Sequence, residues 1–506
     1  MIRVVLEGHL HAYPVADVLR QFFGPVRSVG DRMLETCGGP DGEETTLVSS
    51  VASDGSTAFC VRTGFIPSED APSHPDPIVG IVDTASLKRE LKRQMYRFLS
   101  QLTGVSFPWG SLTGIRPTLI AQECVTAAGG DTRAAAREMT DRYDVSREKA
   151  CLAVETCLLE STLRQSVDPA SFCVYVGIPF CPSRCSYCSF TLPECATKMN
   201  RAEAYVEALI QETRTVFQAL EGPVSCLYVG GGTPTALDPA LFDRMLTGVM
   251  HTLPLAAGAE ITVEAGRPDT IDRIKLETMR ALGVGRVCVN PQTMHDDTLR
   301  RIGRAHTVRQ SVEAVHLAQA SGIPVLNMDL IAGLPGETPD MFASSLEQVL
   351  DLKPGNVTVH TLSMKRKSAL TGRLVREGRG EVGIGALHTS DPDLDAMHRT
   401  ARVRLRESGM YPYYLYRQKD TVGGHENTGY AVPGAECVYN VCMMGDRHTV
   451  IGLGSGAMTK RVTGSRVERI PAVRDIEGFI TRSGEMAERI IRGFEARPYG
   501  GTNANG

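Results

Sequence analysis

Apolar residues recur along this chain in two rhythms, and the change between them marks its organisation. Over residues 1–168 the strand-like runs Ile2 to Leu6, Thr45 to Val51 and Thr57 to Thr63 precede a helical period from Leu87 to Leu102. Arg133 to Leu163 reads as one or two further helices, so the spacing predicts an N-terminal α+β domain. From residue 169 to 363 short apolar runs alternate with helical periods, the signature of repeated β/α units around a parallel sheet. The strand candidates are Val174 to Val176, Leu227 to Val229, Ile261 to Glu264, Arg286 to Val289, Val325 to Leu330 and Val357 to His360, which predicts an α/β fold with a partial (β/α)6 barrel. Residues 364–506 read as a smaller C-terminal α/β unit. It opens with a helix from Leu394 to Glu407, capped near Gly409, and closes on a frayed tail from Pro498 to Gly506.

The helical stripes are core. Tyr205, Val206, Leu209, Val216, Phe217 and Leu220 share one face, as do Leu241, Phe242, Met245, Leu246 and Val249 in the next helix. At 506 residues the chain needs more than one core, and 42% hydrophobic with 22% charged residues is a folded, soluble composition. The 54 basic and 58 acidic residues are scattered, with no basic run to neutralise phosphates in series, which argues against a nucleic-acid partner. No uninterrupted apolar stretch is long enough to span a bilayer, and Glu7 interrupts the first apolar run, so the expected location is the cytoplasm. Fourteen cysteines in such a chain are expected to be free thiols, with Cys60, Cys151 and Cys226 serving as small hydrophobes.

One group of cysteines differs. Cys181, Cys185 and Cys188 form a CxxxCxxC loop directly after the first β/α strand, where β/α barrels build sites. Three thiolates at this spacing suit three irons of a 4Fe-4S cubane and leave the fourth iron open; structural zinc, which prefers a fourth ligand nearby, is the alternative. Cys195, seven residues on, reads as an ordinary loop thiol. After the second strand comes Gly230-Gly231-Gly232-Thr233-Pro234-Thr235, where missing side chains allow close approach to a ligand, although a plain tight turn has the same composition.

IPFCPSRCSYCSF followed by YVGGGTPT resembles the oxygen-independent coproporphyrinogen III oxidases and their relatives among radical S-adenosylmethionine (SAM) proteins. The N-terminal Pro108 to Thr118, PWGSLTGIRPT, is similar to the HemZ-type coproporphyrinogen dehydrogenases, which carry an extra leading domain. The resemblance implies a radical SAM barrel, a 4Fe-4S cluster on Cys181, Cys185 and Cys188, and SAM on Gly231, Gly232, Thr233, Glu264, Gln292, Arg304 and Asp329. It implies Tyr175 as a catalytic residue, a tetrapyrrole substrate, and an electron donor protein such as flavodoxin or ferredoxin. The reaction implied is oxidative decarboxylation of coproporphyrinogen III to protoporphyrinogen IX through a 5'-deoxyadenosyl radical, in haem biosynthesis. Lys365, Arg366, Arg417 and Lys419 are candidate partners for the substrate carboxylates.

The chain also departs from the pattern. The oxidases continue CxxxCxxCxC and carry a histidine two residues after the tyrosine, whereas this chain has Phe190 and Gly177 at those places. The phenylalanine also occurs in related haem chaperones, which bind haem for delivery without decarboxylating porphyrinogens. Their HNxxYW signature falls on Glu426-Asn427-Thr428-Gly429-Tyr430-Ala431, where asparagine and tyrosine survive and histidine and tryptophan do not. His425 is the nearby histidine, expected to be structural, with haem ligation as the alternative. A tetrapyrrole-modifying methyltransferase would share the same cluster and SAM motifs.

Overall fold

The computed structural model describes residues 1–36, 44–53, 58–65, 76–114, 116–188, 199–363, 391–418, 421–464 and 466–495. They form two compact units: Met1–Cys157 with Thr361–Asp395 and Leu415–Asn427, and Leu158–His360 with Ala396–Tyr414 and Thr428–Gly506.

The first unit begins with β1 (Ile2–Glu7), α1 (Ala12–Phe23), β2 (Val26–Val29), β3 (Met33–Thr36), β4 (Thr45–Ala52), β5 (Ala58–Phe65), β6 (Ile78–Asp83) and α2 (Leu87–Thr103). The strands lie in the order β2-β3-β1-β4-β5-β6, with β1 and β4 parallel and the other neighbours antiparallel. Alternation in β1 turns Ile2, Val4 and Leu6 into a core filled by Val15 and Leu19 of α1 and by Met95, Phe98 and Leu99 of α2. A second core, around the fully buried Trp109, is built by α3 (Pro117–Ala127), α4 (Thr132–Tyr143) and α5 (Arg147–Gln165). Asp131 starts α4 by accepting from the backbone N–H groups of Arg133 and Ala134. The expected strands and the helix at 87 are present, and Arg133 to Leu163 resolves into two helices.

The second unit carries β7 (Phe172–Ile178), α6 (Ala202–Ala219), β8 (Val224–Gly231), α7 (Pro239–Thr252), β9 (Leu255–Glu264), α8 (Arg273–Ala281), β10 (Arg286–Cys288), α9 (Asp296–Arg301) and α10 (Val308–Ala320). Then come β11 (Val325–Ala332), α11 (Pro339–Asp351), β12 (Asn356–Thr361), α12 (Pro392–Glu407), β13 (Tyr411–Arg417), β14 (Glu426–Ala431) and α13 (Val438–Gly445). The run ends with β15 (Val450–Leu453), β16 (Met458–Thr463), β17 (Arg466–Pro471) and α14 (Ile476–Glu495). All six expected β/α strands are present as β7 to β12, consecutive in the sheet, and β7 to β11 are parallel. Helix starts are marked by side chains that accept backbone N–H groups: Asp238 for α7, Asp272 for α8, and a Thr307/Gln310 capping box for α10.

The division at residues 168 and 363 expected from the sequence is replaced by a different one. The region after 363 builds no sheet of its own among the described residues. β15 adds to the free side of β7 in parallel, β16 and β17 extend that edge, and α14 packs on α6 with Phe479 against Tyr205, ring centroids 4.9 Å apart. Of the described residues, 361–363, 391–395, 415–418 and 421–427 belong with the N-terminal unit. Sequence order misled because β-strand partners are chosen by backbone pairing, which periodicity does not encode. The tail from Pro498 lies outside the described residues, and no described helix is long and apolar enough to cross a membrane.

Candidate functional site

The carboxyl ends of the six strands share one feature. Tyr175 on β7, Tyr228 on β8, Glu264 on β9, Gln292 after β10, Asp329 on β11 and His360 on β12 are each partly exposed, while the residues immediately before and after each of them are buried. In a strand such isolated exposure marks the side chain that points into open space. Six of them, five on successive strands and one just after β10, mark one end of the sheet.

The cysteine loop is fixed at this end. Gly232 N–H donates to Ile178 O at 2.7 Å and Thr233 N–H to Phe180 O at 2.7 Å, which draws the glycine turn against the loop. A Cβ on Gly232 would lie 2.5 Å from Phe180 O, so only glycine permits the approach. Cys181 Sγ is 3.3 Å from Thr233 Oγ1, Ser186 N–H donates to Ile302 O at 2.8 Å, and buried Arg267 donates to Ser183 Oγ at 2.9 Å. The loop is thereby held by the segments after β8, β9 and β10. Burial pushes the Cys181 thiol up to about 12, opposed by the Thr233 hydrogen bond and reinforced by the neighbouring Cys188 and Cys185 thiols. A buried thiol that resists ionising is held as a thiolate when a metal cation coordinates it.

The predicted cofactor residues sit at this end of the sheet in different roles. Gly231 has φ 109° and packs on Ile178 backbone. Glu264 accepts from Tyr228 Oη at 2.6 Å; burial lifts its carboxyl to about 7, against the opposing hydrogen bond from Tyr228, with Asp329 adding to the lift. Asp329 accepts from Asn327 Nδ2 at 2.8 Å and lies 3.5 Å from His360 Nε2. Gln292, at φ 72°, bridges to β11 through its backbone, and its buried Oε1 has no partner among the described residues. That orphan acceptor, the glycine cradle and the cysteine loop fit a polar cofactor bearing donor groups. Arg304 differs from the expected anion partner: its guanidinium donates to Asn290 O at 2.6 Å and Gly266 O at 2.7 Å, which ties strand-end segments together. Tyr175 stacks with Tyr228 and Tyr439, the last two with ring centroids 4.6 Å apart, and these rings form an aromatic layer beneath the polar residues.

Sequence reasoning missed Tyr228, His360, Asn327 and Arg267. The signal for Tyr228 was available, because it is the register partner of Tyr175. Of the basic candidates for substrate, Lys365, Arg366 and Lys419 lie outside the described residues, as do Phe190 and Cys195. Arg417 is buried and donates to Leu112 O and Gly424 O, with burial lowering its pKa to about 10. It serves the first unit's own structure. His425 is fully buried with Nε2 3.0 Å from Asp395 Oδ1. A histidine at the place of Gly177 would be tight, since a Cβ there would meet Ser455 O at 3.1 Å and that neighbour would have to give by a few tenths of an ångström.

A parallel sheet whose first strand delivers a three-cysteine loop beside a glycine turn defines a radical SAM protein, with a 4Fe-4S cluster and SAM as its cofactors. The Radical SAM superfamily model matches residues 175–349. Over 385 residues the chain is 36% identical to the oxygen-independent coproporphyrinogen-III oxidase-like protein HemZ of Bacillus subtilis, covering 74% of each chain. It is 30% identical over 285 residues to the heme chaperone HemW of Lactococcus lactis, covering 56% of this chain and 68% of that relative. Among solved structures, coproporphyrinogen III oxidase (HemN) from Escherichia coli matches 65% of this chain and 73% of its own with TM-score 0.49 and 22% identity. The chain belongs to the HemZ-type family of oxygen-independent coproporphyrinogen III oxidase-like radical SAM proteins.

Proposed function

We propose that this protein is a coproporphyrinogen dehydrogenase, which converts coproporphyrinogen III to protoporphyrinogen IX without dioxygen. The observation that carries this reading is the set of partly exposed polar and aromatic side chains on or just after six successive strands, at the end of the sheet where the cysteine loop meets the glycine turn. When bound, the cluster and SAM supply a 5'-deoxyadenosyl radical that takes a hydrogen atom from a propionate β-carbon; carbon dioxide leaves, and one electron passes to an acceptor. Cys181, Cys185 and Cys188 would hold the cluster. Gly231, Gly232 and Thr233 would admit the methionine amino group, Glu264 and Asp329 would accept from the ribose and adenine edges, and Gln292 Oε1 would accept a further donor. Tyr175 would position the reacting propionate over the aromatic layer. Arg304 supports the site by fixing the segments after β9 and β10.

The rival haem-delivery reading needs ligands at the altered signature. Glu426, which stands where the chaperone signature has histidine, is buried, paired with Lys149 at 2.6 Å, and accepts from Trp109 Nε1 at 2.8 Å. Asn427 is also buried, its Oδ1 accepting from Thr361 N–H at 3.1 Å. Both side chains are committed to internal structure, which favours catalysis. The test is anaerobic incubation of the reconstituted protein with coproporphyrinogen III, SAM and a low-potential reductant, with products followed by mass. Loss of two carboxyl groups alongside 5'-deoxyadenosine is expected. 5'-Deoxyadenosine without decarboxylation, together with stoichiometric haem binding, would overturn the assignment in favour of the chaperone.

A further inference from the structure

We propose that Tyr205 of α6 is a positioning residue for the 4Fe-4S cluster: it fastens the end of β7 and the start of the cysteine loop to the turn at residues 452–456, so that C-terminal residues set the geometry of the metal site. This role is independent of which tetrapyrrole chemistry the cluster serves.

β7 runs out of backbone partners on one side just before the loop. Its parallel pairing with β15 ends at Val176 and Leu453. Gly177 comes next, and its carbonyl accepts from Tyr205 Oη at 2.6 Å. Tyr205 Oη in turn accepts from Ser455 N–H at 2.8 Å, so one hydroxyl joins two backbones that have stopped pairing with each other. A phenol can serve both, being donor and acceptor at once. Both backbone groups are buried, where an unpartnered donor or acceptor is costly.

The ring makes a second attachment. Fully buried, it meets Phe180 edge-on, with centroids 5.4 Å apart and the planes at 88°, and Phe180 directly precedes Cys181. Seven residues further along α6 and on the same face, Glu212 accepts from Gly454 N–H at 2.8 Å. Gly454 has φ 88°, and a Cβ there would lie 2.5 Å from Gly177 O and 2.8 Å from Tyr205 Oη, so glycine is required for this approach. Ser455 Oγ donates to Arg474 O at 2.7 Å and Gly456 N–H to Val473 O at 2.7 Å, which anchors the turn to the segment between β17 and α14. The core stripe of α6 accounts for an aromatic ring at 205; a phenylalanine would fill that place. The hydroxyl is accounted for by the two backbones it joins.

The experiment compares Tyr205→Phe with Thr213→Val in the reconstituted full chain. Thr213 is also fully buried on α6, but its hydroxyl donates to Leu209 O of the same helix at 2.7 Å, so its loss removes a bond internal to that helix. Two quantities are read: the half-time of iron release to excess chelator, and the SAM concentration that half-converts the electron paramagnetic resonance spectrum of the dithionite-reduced cluster. Tyr205→Phe should shorten the half-time about tenfold, as loss of a group supporting metal ligands does, and should raise the SAM concentration severalfold. Thr213→Val should move neither appreciably. Unchanged values in Tyr205→Phe, or equal shifts in both variants, would overturn the proposal, the second by reducing the effect to general stability. Hydrogen exchange on the unaltered protein avoids dependence on either variant. Coupling is reciprocal, so cluster loading should slow amide exchange in a peptide spanning residues 452–456, and identical exchange with and without cluster refutes the role.

Discussion

Replacing Lys149 by Met tests how the first unit carries its buried charge. Lys149 Nζ and Glu426 Oε1 are 2.6 Å apart, with side chains 6% and 2% exposed. Removing one partner of a buried ion pair costs about 3–5 kcal/mol, because the other charge stays behind without compensation. Trp109 Nε1 still donates to Glu426 Oε2 at 2.8 Å, and a hydrogen bond to a charged group is worth about 1.5–3 kcal/mol, so the loss should fall near the lower bound, about 3 kcal/mol. Adding Glu426→Gln removes the stranded charge while keeping an acceptor for Trp109, and should restore more than half of the lost stability. Trp109 is the only tryptophan of the chain, so urea unfolding followed by its fluorescence reads this site directly. A Lys149→Met effect below about 1 kcal/mol, or no recovery in the double variant, would show that the pair is not the electrostatic anchor its geometry describes.

Replacing any one of Cys181, Cys185 and Cys188 by Ala should abolish retention of the 4Fe-4S cluster, read as loss of iron and sulfide per chain with unchanged far-ultraviolet circular dichroism. Gly232→Ala should displace the cysteine loop, because its Cβ would lie 2.5 Å from Phe180 O; a cluster content equal to that of the unaltered chain would contradict this. Burial raises the Glu212 carboxyl to about 8, above its unfolded value of 4.5, with Gly454 N–H donating to it. The folded state therefore keeps its proton longer, and stability from this group is present at low pH and lost as pH climbs from the unfolded value through about 8. Glu212→Gln should flatten that decline in denaturation measured between pH 6 and pH 9 at about one-unit intervals, and an unchanged slope would reject the assignment.

Much of the barrel was legible because each strand is a short apolar run bounded by a helix with the opposite period, as in Val325 to Leu330. The cysteine loop and glycine turn were equally plain, being local in sequence. Elements without a pattern escaped: Val26–Val29 is largely exposed and shows no alternation, and Pro117–Ala127 has no clear amphipathic stripe. Long-range partnerships were invisible. Nothing in the sequence says that Glu426 meets Lys149, or that the buried Cys226 is the register partner of Cys173 on the neighbouring strand. Cys60, expected to be buried, is exposed, because alternation along β5 turns it away from the core side occupied by Val61.

The insertion of β15 beside β7 bears on the order in which the protein becomes competent. β7 has β8 on one side within about fifty residues, but its other neighbour is made from residues 450–453. Until those residues are synthesised, the strand that leads into the cysteine loop is a sheet edge, with unpaired backbone donors and acceptors open to other chains. Joining it requires closure of a loop of more than 270 residues, a contact of high order that forms late. Assembly of the metal centre is thereby coupled to completion of the sheet, and a chain interrupted before residue 450 would present its cysteines on an unguarded edge.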